Sequence, residues 1–187
     1  MNYKKLGNTD LDVSTICLGT MTWGEQNTEE EGFEQMDWAL DHGVNFWDTA
    51  EIYSIPMRKE TYGETERIIG NWFKKTNKRD KVVIATKGGL SWKKSSTKRS
   101  DVFKDSSPIA IRRDVEKSLL RLRLECLPIF YVHWPDENTP IQNTFFELLK
   151  LKNEGKIMSI GCSNFSVHQL NEACKITKVD YLQLPIN

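Results

Sequence analysis

The chain has 187 residues with 26 basic and 26 acidic side chains, so its formal net charge is zero at neutral pH. That balance argues against a dedicated binder of nucleic acid or of anionic membranes. With 39% hydrophobic and 28% charged residues, the composition is typical of a globular domain and excludes disorder as the dominant state. Neither a membrane-spanning apolar run nor a signal peptide is recognisable, and we therefore expect a cytoplasmic protein.

The cysteines and histidines form no metal-binding or disulfide pattern. No Cys-x-x-Cys pair occurs, and we expect four reduced, buried thiols: Cys17, Cys126, Cys162 and Cys174. The three histidines lie at no spacing typical of metal ligands: His42, His133 and His168. The sequence therefore predicts no metal site.

The first predicted element is an N-terminal β-hairpin, because a Gly7-Asn8 turn separates two short extended pieces. Six apolar, β-branched runs then predict strands at 16–18, 44–47, 81–86, 127–133, 157–161 and 181–184. Their spacing leaves room for a crossover helix between strands, which predicts a parallel sheet. This pattern fits an open doubly wound sheet and an eight-stranded barrel equally well.

Between these strands, capping signals and apolar spacing predict five helices. Three starts have the capping-box spacing and two have a Ser-Pro or Thr-Pro pair: 28–31, 61–64 and 166–169, then 107–108 and 139–140. The polar stretch 88–107 reads as a solvated insertion, with an anion-contacting lid as the alternative; its cations are Lys93, Lys94, Lys98 and Arg99. No linker interrupts the chain, so residues 1–187 are predicted to form one domain.

Four polar side chains follow the predicted strands at their carboxyl ends, where parallel α/β folds bind ligands. Asp48 and Tyr53 come after the second strand, Lys87 ends the third, and His133 ends the fourth. Each alone has an ordinary explanation, such as a capped loop or a core histidine. Because all four fall at one edge of the sheet, we expect them to share a pocket.

Together these four side chains have the chemistry of an acid catalyst. The ammonium of Lys87 would lower the pKa of the Tyr53 phenol, and Asp48 would keep Lys87 charged. His133 could donate a ring N–H to a carbonyl oxygen. Such a site lacks a nucleophile and a metal, so a cofactor must move the electrons, and hydride transfer to a carbonyl fits best.

Three further polar residues near the last two strands are suited to holding a carboxamide: Ser163, Asn164 and Gln183. No Gly-x-Gly-x-x-Gly follows the first strand, which argues against a Rossmann dinucleotide site.

Four segments taken together resemble the aldo-keto reductase family. They are Phe-Trp-Asp-Thr-Ala-Glu-Ile-Tyr at 46–53, Ala-Thr-Lys at 85–87, Val-His-Trp-Pro-Asp at 132–136, and the stretch at 155–165 that ends in Ile-Gly-Cys-Ser-Asn-Phe. The resemblance runs from end to end of the chain. The loops of the chain, with Trp23-Gly24 and the insertion after Lys87, are more similar to the bacterial and potassium-channel β-subunit-like branch of the family than to the aldose reductase branch.

The resemblance implies a (β/α)₈ barrel of the TIM type that binds NADPH and reduces aldehydes or ketones to alcohols, with Tyr53 as proton donor. The implied catalytic residues are Asp48, Tyr53, Lys87 and His133. The implied cofactor contacts are Gly19, Thr20, Met21, Asp48, Ser163, Asn164 and Gln183. The implied contacts with a small carbonyl substrate are Trp23, Tyr53, His133 and Trp134.

The sequence departs from the family pattern in two places. Cys126-Leu127-Pro128 replaces an Asp-Tyr pair often found before the fourth strand, and a proline should lie at the first residue or the edge of a strand. The chain also ends at Asn187, after about six of eight strands. We therefore expect a truncated chain or one completed by a partner, with open barrel edges that would favour self-association.

Three alternative readings stay open at this point. The chain could be a non-catalytic subunit that senses nucleotides or binds a partner, or an inactive fragment of an enzyme. It could also be an unrelated open α/β binding domain.

Overall fold

The computed structural model describes residues 1–7, 9–93 and 99–186. Four residues used in the sequence analysis lie outside this part of the chain: Asn8, Lys94, Lys98 and Asn187. The described part contains no helix that is both long and apolar enough to cross a membrane.

An antiparallel pair of short strands, β1 (Tyr3–Lys5) and β2 (Asp12–Ser14), opens the fold as predicted. Leu6 and Leu11, in the connection between them, pack against strand residues Ala85, Ile129 and Tyr131. The hairpin therefore closes one end of the concave face of the main sheet, and leaves the end that carries the polar residues open.

All six predicted strands are confirmed and form one parallel sheet. Their bounds are β3 (Cys17–Gly19), β4 (Phe46–Asp48), β5 (Val83–Gly88), β8 (Leu127–Val132), β9 (Ile157–Ser163) and β10 (Tyr181–Gln183). The spatial order β10-β9-β8-β5-β4-β3 follows the chain without a reversal. A doubly wound sheet reverses its order at a switch point, so this order is that of a barrel segment.

A helix follows each of the first five strands of this sheet. They are α1 (Glu29–Asp41), α2 (Glu64–Thr76), α3 (Pro108–Leu122), α4 (Ile141–Asn153) and α5 (Val167–Cys174). Alternate strand residues such as Trp47, Ile84 and Phe130 are fully buried against these helices. Side chains alternate along a strand, so residues an odd number of positions away point to the opposite face. The concave side therefore carries Asp48, Lys87 and Tyr131.

Most of the predicted helix starts are confirmed. Capping boxes form at Thr28 and Ser166, and Ser107 caps α3 ahead of Pro108. The prediction for α2 is wrong: Gly63, at φ 77°, is its cap, and the Thr61 hydroxyl instead donates to Glu25 at 2.6 Å. The helix α4 begins one residue later than expected, with Pro140 as its cap.

Three local expectations need correction. Of the four cysteines, all free, only Cys162 is buried; Cys126 is partly buried, and Cys17 and Cys174 are exposed. Pro128 is the second residue of an interior strand, not its first. It is accommodated because pairing with β5 starts only at Ile129, and the pairing with β9 uses Leu127 and Ile129 on either side of Pro128 but not Pro128 itself.

The predicted insertion 88–107 is not simply a solvated loop. Its described part contains an antiparallel hairpin of β6 (Leu90–Trp92) and β7 (Val102–Lys104), preceded on the β7 side by a 3₁₀ turn at Arg99–Asp101. Leu90 and Ser91 are buried. Lys93 pairs with Asp101 at 3.6 Å, an ion pair that holds the two arms together.

Candidate active site

A buried ion pair joins the ends of two neighbouring strands. Lys87, only 2% exposed, lies on β5, and its Nζ is 2.6 Å from Oδ2 of Asp48 at the end of β4. The same Nζ donates to the carbonyl oxygen of Thr49 at 2.8 Å. An ammonium group buried so deeply is stable only with such partners, and the pair fixes one positive charge at the sheet edge.

The loop after β4 carries Tyr53 to this charge. Its backbone continues alongside β5, with the Thr49 N–H donating to the Ala85 carbonyl and the Glu51 N–H to the Lys87 carbonyl, both at 2.9 Å. Tyr53 is half-buried, and the centre of its ring lies 5.0 Å from Lys87 Nζ. The phenol and the ammonium are therefore neighbours, as the sequence predicted.

His133 completes the group from the next strand. Its backbone N–H donates to Gly88 at 2.9 Å, and its ring meets that of Tyr53 edge-on, with centroids 6.0 Å apart. Burial, followed by the charge of Lys87, lowers the pKa of His133 to about 3. The imidazole is therefore neutral, and its Nδ1 is buried with no hydrogen-bond partner in the described part of the chain.

The opposite side of the site is built from β9 and β10. Asn164 adopts φ 61° and its backbone N–H donates to the Gln183 carbonyl at 3.1 Å. Its side-chain amide donates to the His133 carbonyl and to Ser163 Oγ, both at 3.0 Å. Gln183 Nε2 donates to Asp48 Oδ1 at 3.1 Å. These bonds tie β10 to β9, β8 and β4, so the polar residues form one connected rim.

All of these side chains line one open cavity of about 540 Å³, within the usual range for a ligand pocket. Its residues are Asp48, Tyr53, Lys87, His133, Trp134, Ser163, Asn164, Gln183, Leu184 and Pro185. Trp134 is 41% exposed, and Lys104 of β7 lies 6.0 Å from the centre of its ring. The cavity therefore combines a charged end, an amide-rich wall and an aromatic wall.

Comparison with known proteins assigns the chain. The family model described as "Aldo/keto reductase family" matches residues 15–187. This chain belongs to the aldo/keto reductase family. Protein tas of Escherichia coli (strain K12) is 37% identical over 182 residues, covering 88% of this chain and 52% of that protein. Aldo-keto reductase YhdN of Bacillus subtilis (strain 168) is 34% identical over 192 residues, covering 100% of this chain and 54% of that protein.

Solved structures of aldo/keto reductases share the fold. The glycerol dehydrogenase AKR11B4 from Gluconobacter oxydans matches with a TM-score of 0.86 and 34% sequence identity, over 99% of this chain and 55% of that one. The barrel-type architecture implied by the sequence is thereby confirmed. The chain spans about half the length of the curated relatives it matches.

The structure separates two of the predicted ligand contacts of this aldo/keto reductase from the cavity. Trp23 is fully buried: its ring fills the space beside Gly32 of α1, and its Nε1 donates to Gln35 at 2.9 Å. The expected substrate contact is therefore contradicted. Thr20 is also fully buried, and its hydroxyl donates to the Asp48 carbonyl at 2.9 Å. Thr20 thus braces Asp48, and no direct cofactor contact is open to it.

Gly19 and Met21 lie beside the site without lining the cavity. Gly19 pairs in register with Asp48, and the space where a Cβ would stand is open. The side chain of Met21 is half-exposed, while its carbonyl accepts the Ile55 N–H at 2.7 Å. Their expected contacts with a cofactor stay predictions.

Sequence reasoning missed a set of acids behind the Tyr53 loop. Glu51, Glu66 and Asp114 are all fully buried. Glu51 could have been noticed, because an acid flanked by Ala50 and Ile52 in a strand-end motif is out of place unless it is bonded. The other two lie on amphipathic helices, where an acid ordinarily faces solvent.

Proposed function

We propose that this chain carries the catalytic side of an NADPH-dependent carbonyl reductase, which reduces aldehydes or ketones to alcohols. The observation that carries the proposal is the buried Lys87–Asp48 pair beside the Tyr53 phenol, with a neutral imidazole at the same cavity. These groups can transfer a proton and orient a carbonyl, but cannot supply electrons.

The residues present fit the nicotinamide end of such a cofactor. The open space at Gly19 would admit a flat ring beside Asp48, and the amides of Asn164 and Gln183 with the Ser163 hydroxyl match the donors and acceptors of a carboxamide. When bound, the reduced nicotinamide supplies the hydride. The family resemblance is the reason to propose NADPH over NADH.

Tyr53 would give its hydroxyl proton to the substrate oxygen as negative charge develops there. The ammonium of Lys87 stabilises the phenolate left behind, because opposite charges attract more strongly where one of them is buried. Asp48, bonded to both Lys87 and Gln183, holds that ammonium in place. The proton then returns to Tyr53 from solvent, through the open cavity.

His133 would donate a ring N–H to the carbonyl oxygen and so hold the substrate against Tyr53. A neutral imidazole suits this role, since it polarises the carbonyl without giving up its proton. The two rings are in edge-on contact and line the same cavity, where a carbonyl could lie beside both.

The test is to mix the purified chain with NADPH and a reactive aromatic aldehyde and to follow the cofactor absorbance, with NADH in parallel. We expect turnover by the unmodified chain and a drop in kcat of about 10²- to 10⁴-fold in Tyr53→Phe, the usual contribution of a positioned acid. Equal rates in the two proteins would contradict the proposal. Binding of NADPH without turnover would instead favour the nucleotide-sensing alternative.

A further inference from the structure

Three carboxyl groups are buried between the Tyr53 loop and the two helices behind it. Glu66 of α2 lies 2.6 Å from Arg121 Nε, and Asp114 of α3 lies 2.8 Å from Arg113. Glu51, in the loop itself, has no cation at ion-pair distance among the described residues. One of its carboxylate oxygens instead accepts the hydroxyl of Tyr62.

The surroundings of Glu51 disfavour the charged form of its carboxyl group. Burial raises its pKa well above the ordinary value, and the nearby charges of Asp114 and Glu66 raise it further, while Arg121 opposes them only in part. A neutral carboxyl binds through directed hydrogen bonds rather than through charge. The Tyr62 hydroxyl needs only an acceptor oxygen from Glu51, so a carboxamide could replace the carboxyl group.

The Glu51–Tyr62 contact is close to Tyr53, because Glu51 lies two residues before Tyr53 in the same loop. The backbone N–H of Glu51 donates to the Lys87 carbonyl, and that of Tyr53 donates to the Ala50 carbonyl at 3.1 Å. The Tyr53 and Tyr62 side chains pack against one small apolar cluster that contains Ala50, Ile52 and Leu90. A shift of the Glu51 side chain would therefore displace the turn that carries Tyr53.

The strand β5, which carries Lys87, is also anchored to the helices. The Thr86 hydroxyl, next to Lys87, donates to Glu66 at 2.6 Å, and Glu66 is fixed by Arg121. This arrangement leaves β5 rigidly attached to α2 and α3. The Tyr53 loop, by contrast, contacts Tyr62 through Glu51, and the Tyr62 ring lies 5.5 Å from the guanidinium of Arg121 on α3.

We propose that Glu51, through its hydrogen bond with Tyr62, is a positioning residue that holds Tyr53 against His133 and Lys87. This inference deepens the proposed function, and its kinetic readout rests on that function. Its structural readout does not, because the geometry of the Tyr53 and His133 rings can be measured without cofactor or substrate.

The experiment measures the nuclear Overhauser cross-peak between the rings of Tyr53 and His133 in the cofactor-free chain, together with kcat and KM. Glu51→Leu and Tyr62→Phe each remove the hydrogen bond and little volume. We expect both to weaken the cross-peak several-fold and to lower kcat by about tenfold or more, since misplacement by 1 Å can cost about 10²-fold. KM should change by less than about threefold, because the cavity walls are intact.

Two controls separate positioning from general damage. Glu51→Gln keeps an acceptor for Tyr62 and should retain the cross-peak and kcat within about threefold, a rescue that a purely electrostatic role would not allow. Glu147→Gln alters an equally buried acid, on α4 and paired with Arg112, and should change neither readout. The Phe145–Phe165 cross-peak, from rings also 6.0 Å apart, reports that the core is intact.

The outcomes are distinct. An unchanged Tyr53–His133 cross-peak in both Glu51→Leu and Tyr62→Phe overturns the inference, as does Glu51→Gln behaving like Glu51→Leu. If Glu51→Leu does not fold, Tyr62→Phe alone decides. A weakened cross-peak in a chain whose unmodified form reduces no aldehyde would support the positioning role and contradict the proposed function.

Discussion

At the scale of single residues, the site combines a buried lysine that has an ion-pair partner with a buried imidazole whose burial favours the neutral form. Lys87 is buried but lies 2.6 Å from the Asp48 carboxylate, whereas burial and then the charge of Lys87 lower the pKa of His133 to about 3. One fixed cation and one neutral donor therefore face the same cavity.

Gly19 offers a residue-scale test of the proposed cofactor contact. A Cβ there would meet nothing within 4 Å, so Gly19→Val should leave the free energy of unfolding within about 1 kcal/mol of the original. The added side chain would fill the open space beside Asp48, and we expect the Kd for NADPH to rise about tenfold or more. Fluorescence titration and urea unfolding measure the two quantities.

The control for this substitution is Met158→Val, at an exposed position on β9. It should alter neither the Kd for NADPH nor, appreciably, stability. An unaltered Kd in Gly19→Val would show that the cofactor ring does not approach β3.

Three of the four candidate catalytic residues could be found from the sequence because they lie at strand ends, which share an edge in a parallel sheet: Asp48, Lys87 and His133. Tyr53 follows in the loop after β4. Trp23 could not be placed in the same way. Its loop enters α1, and a large ring there either reaches the cavity or fills the gap over Gly32; packing against the helix decides this, and packing is not visible in the sequence. Glu51 was missed because its partner, Tyr62, is on a separate turn.

At the scale of elements, the sequence predicted the helix starts that are set by hydrogen bonds between residues close together in the chain. Thr28 and Ser166 cap their own helices through side chains three residues away, so spacing alone was sufficient. Thr61 has the same spacing, but its hydroxyl bonds to Glu25, in a distant loop. The start of α2 is therefore set by tertiary contact and by the left-handed Gly63.

The contact between α2 and α3 gives a prediction in which packing opposes intrinsic helix preference. Gly70→Ala would gain about 1 kcal/mol of helix propensity. Its Cβ would, however, stand 2.1 Å from the backbone carbonyl oxygen of Arg121, so the helices would have to move apart. We expect a net loss of about 1–3 kcal/mol in the free energy of unfolding, the usual cost of overpacking.

Chemical denaturation measures this loss, with Lys74→Ala at an exposed position of the same helix as control. Lys74→Ala should change stability by no more than about 0.5 kcal/mol. A Gly70→Ala chain more stable than the original would mean that the α2–α3 contact is looser than the structure has it.

At the scale of the whole molecule, the hydrophobic periodicity of the sequence could predict the strands but not whether their sheet is of the barrel type. Both a doubly wound sheet and a barrel alternate strands and helices, and they differ only in whether the spatial order reverses. The unbroken order from β3 to β10 decides for the barrel type, and the solved aldo/keto reductases share it. Three strands separate β4 from β10 in that order, so the direct bond between Asp48 and Gln183 shows that the sheet curls round on itself.

Two buried groups give the whole fold opposing responses to acid. The pKa of His133 is lowered from 6.5 to about 3, so the folded state binds fewer protons than the unfolded chain in that range, and stability falls as pH falls through it. Burial raises the pKa of Asp114 from 3.8 to about 6, so the folded state binds more protons there, and stability rises as pH falls. Each group changes the free energy of unfolding by about 1.4 kcal/mol per pH unit, and the two changes have opposite signs.

These slopes should nearly cancel between about pH 4 and 6 and reappear when either group is removed. Relative to the original chain, His133→Gln should gain unfolding free energy as pH is lowered from 6 to 4, and Asp114→Asn should lose it. Urea unfolding at several pH values measures both differences, in which the contributions of groups that do not interact with the substituted residue cancel. Two difference curves of the same sign would mean that one of these groups is not shifted as its burial requires. Below about pH 4 the stabilisation from Asp114 stops growing while the His133 penalty still grows, so the stability of the original chain should fall there.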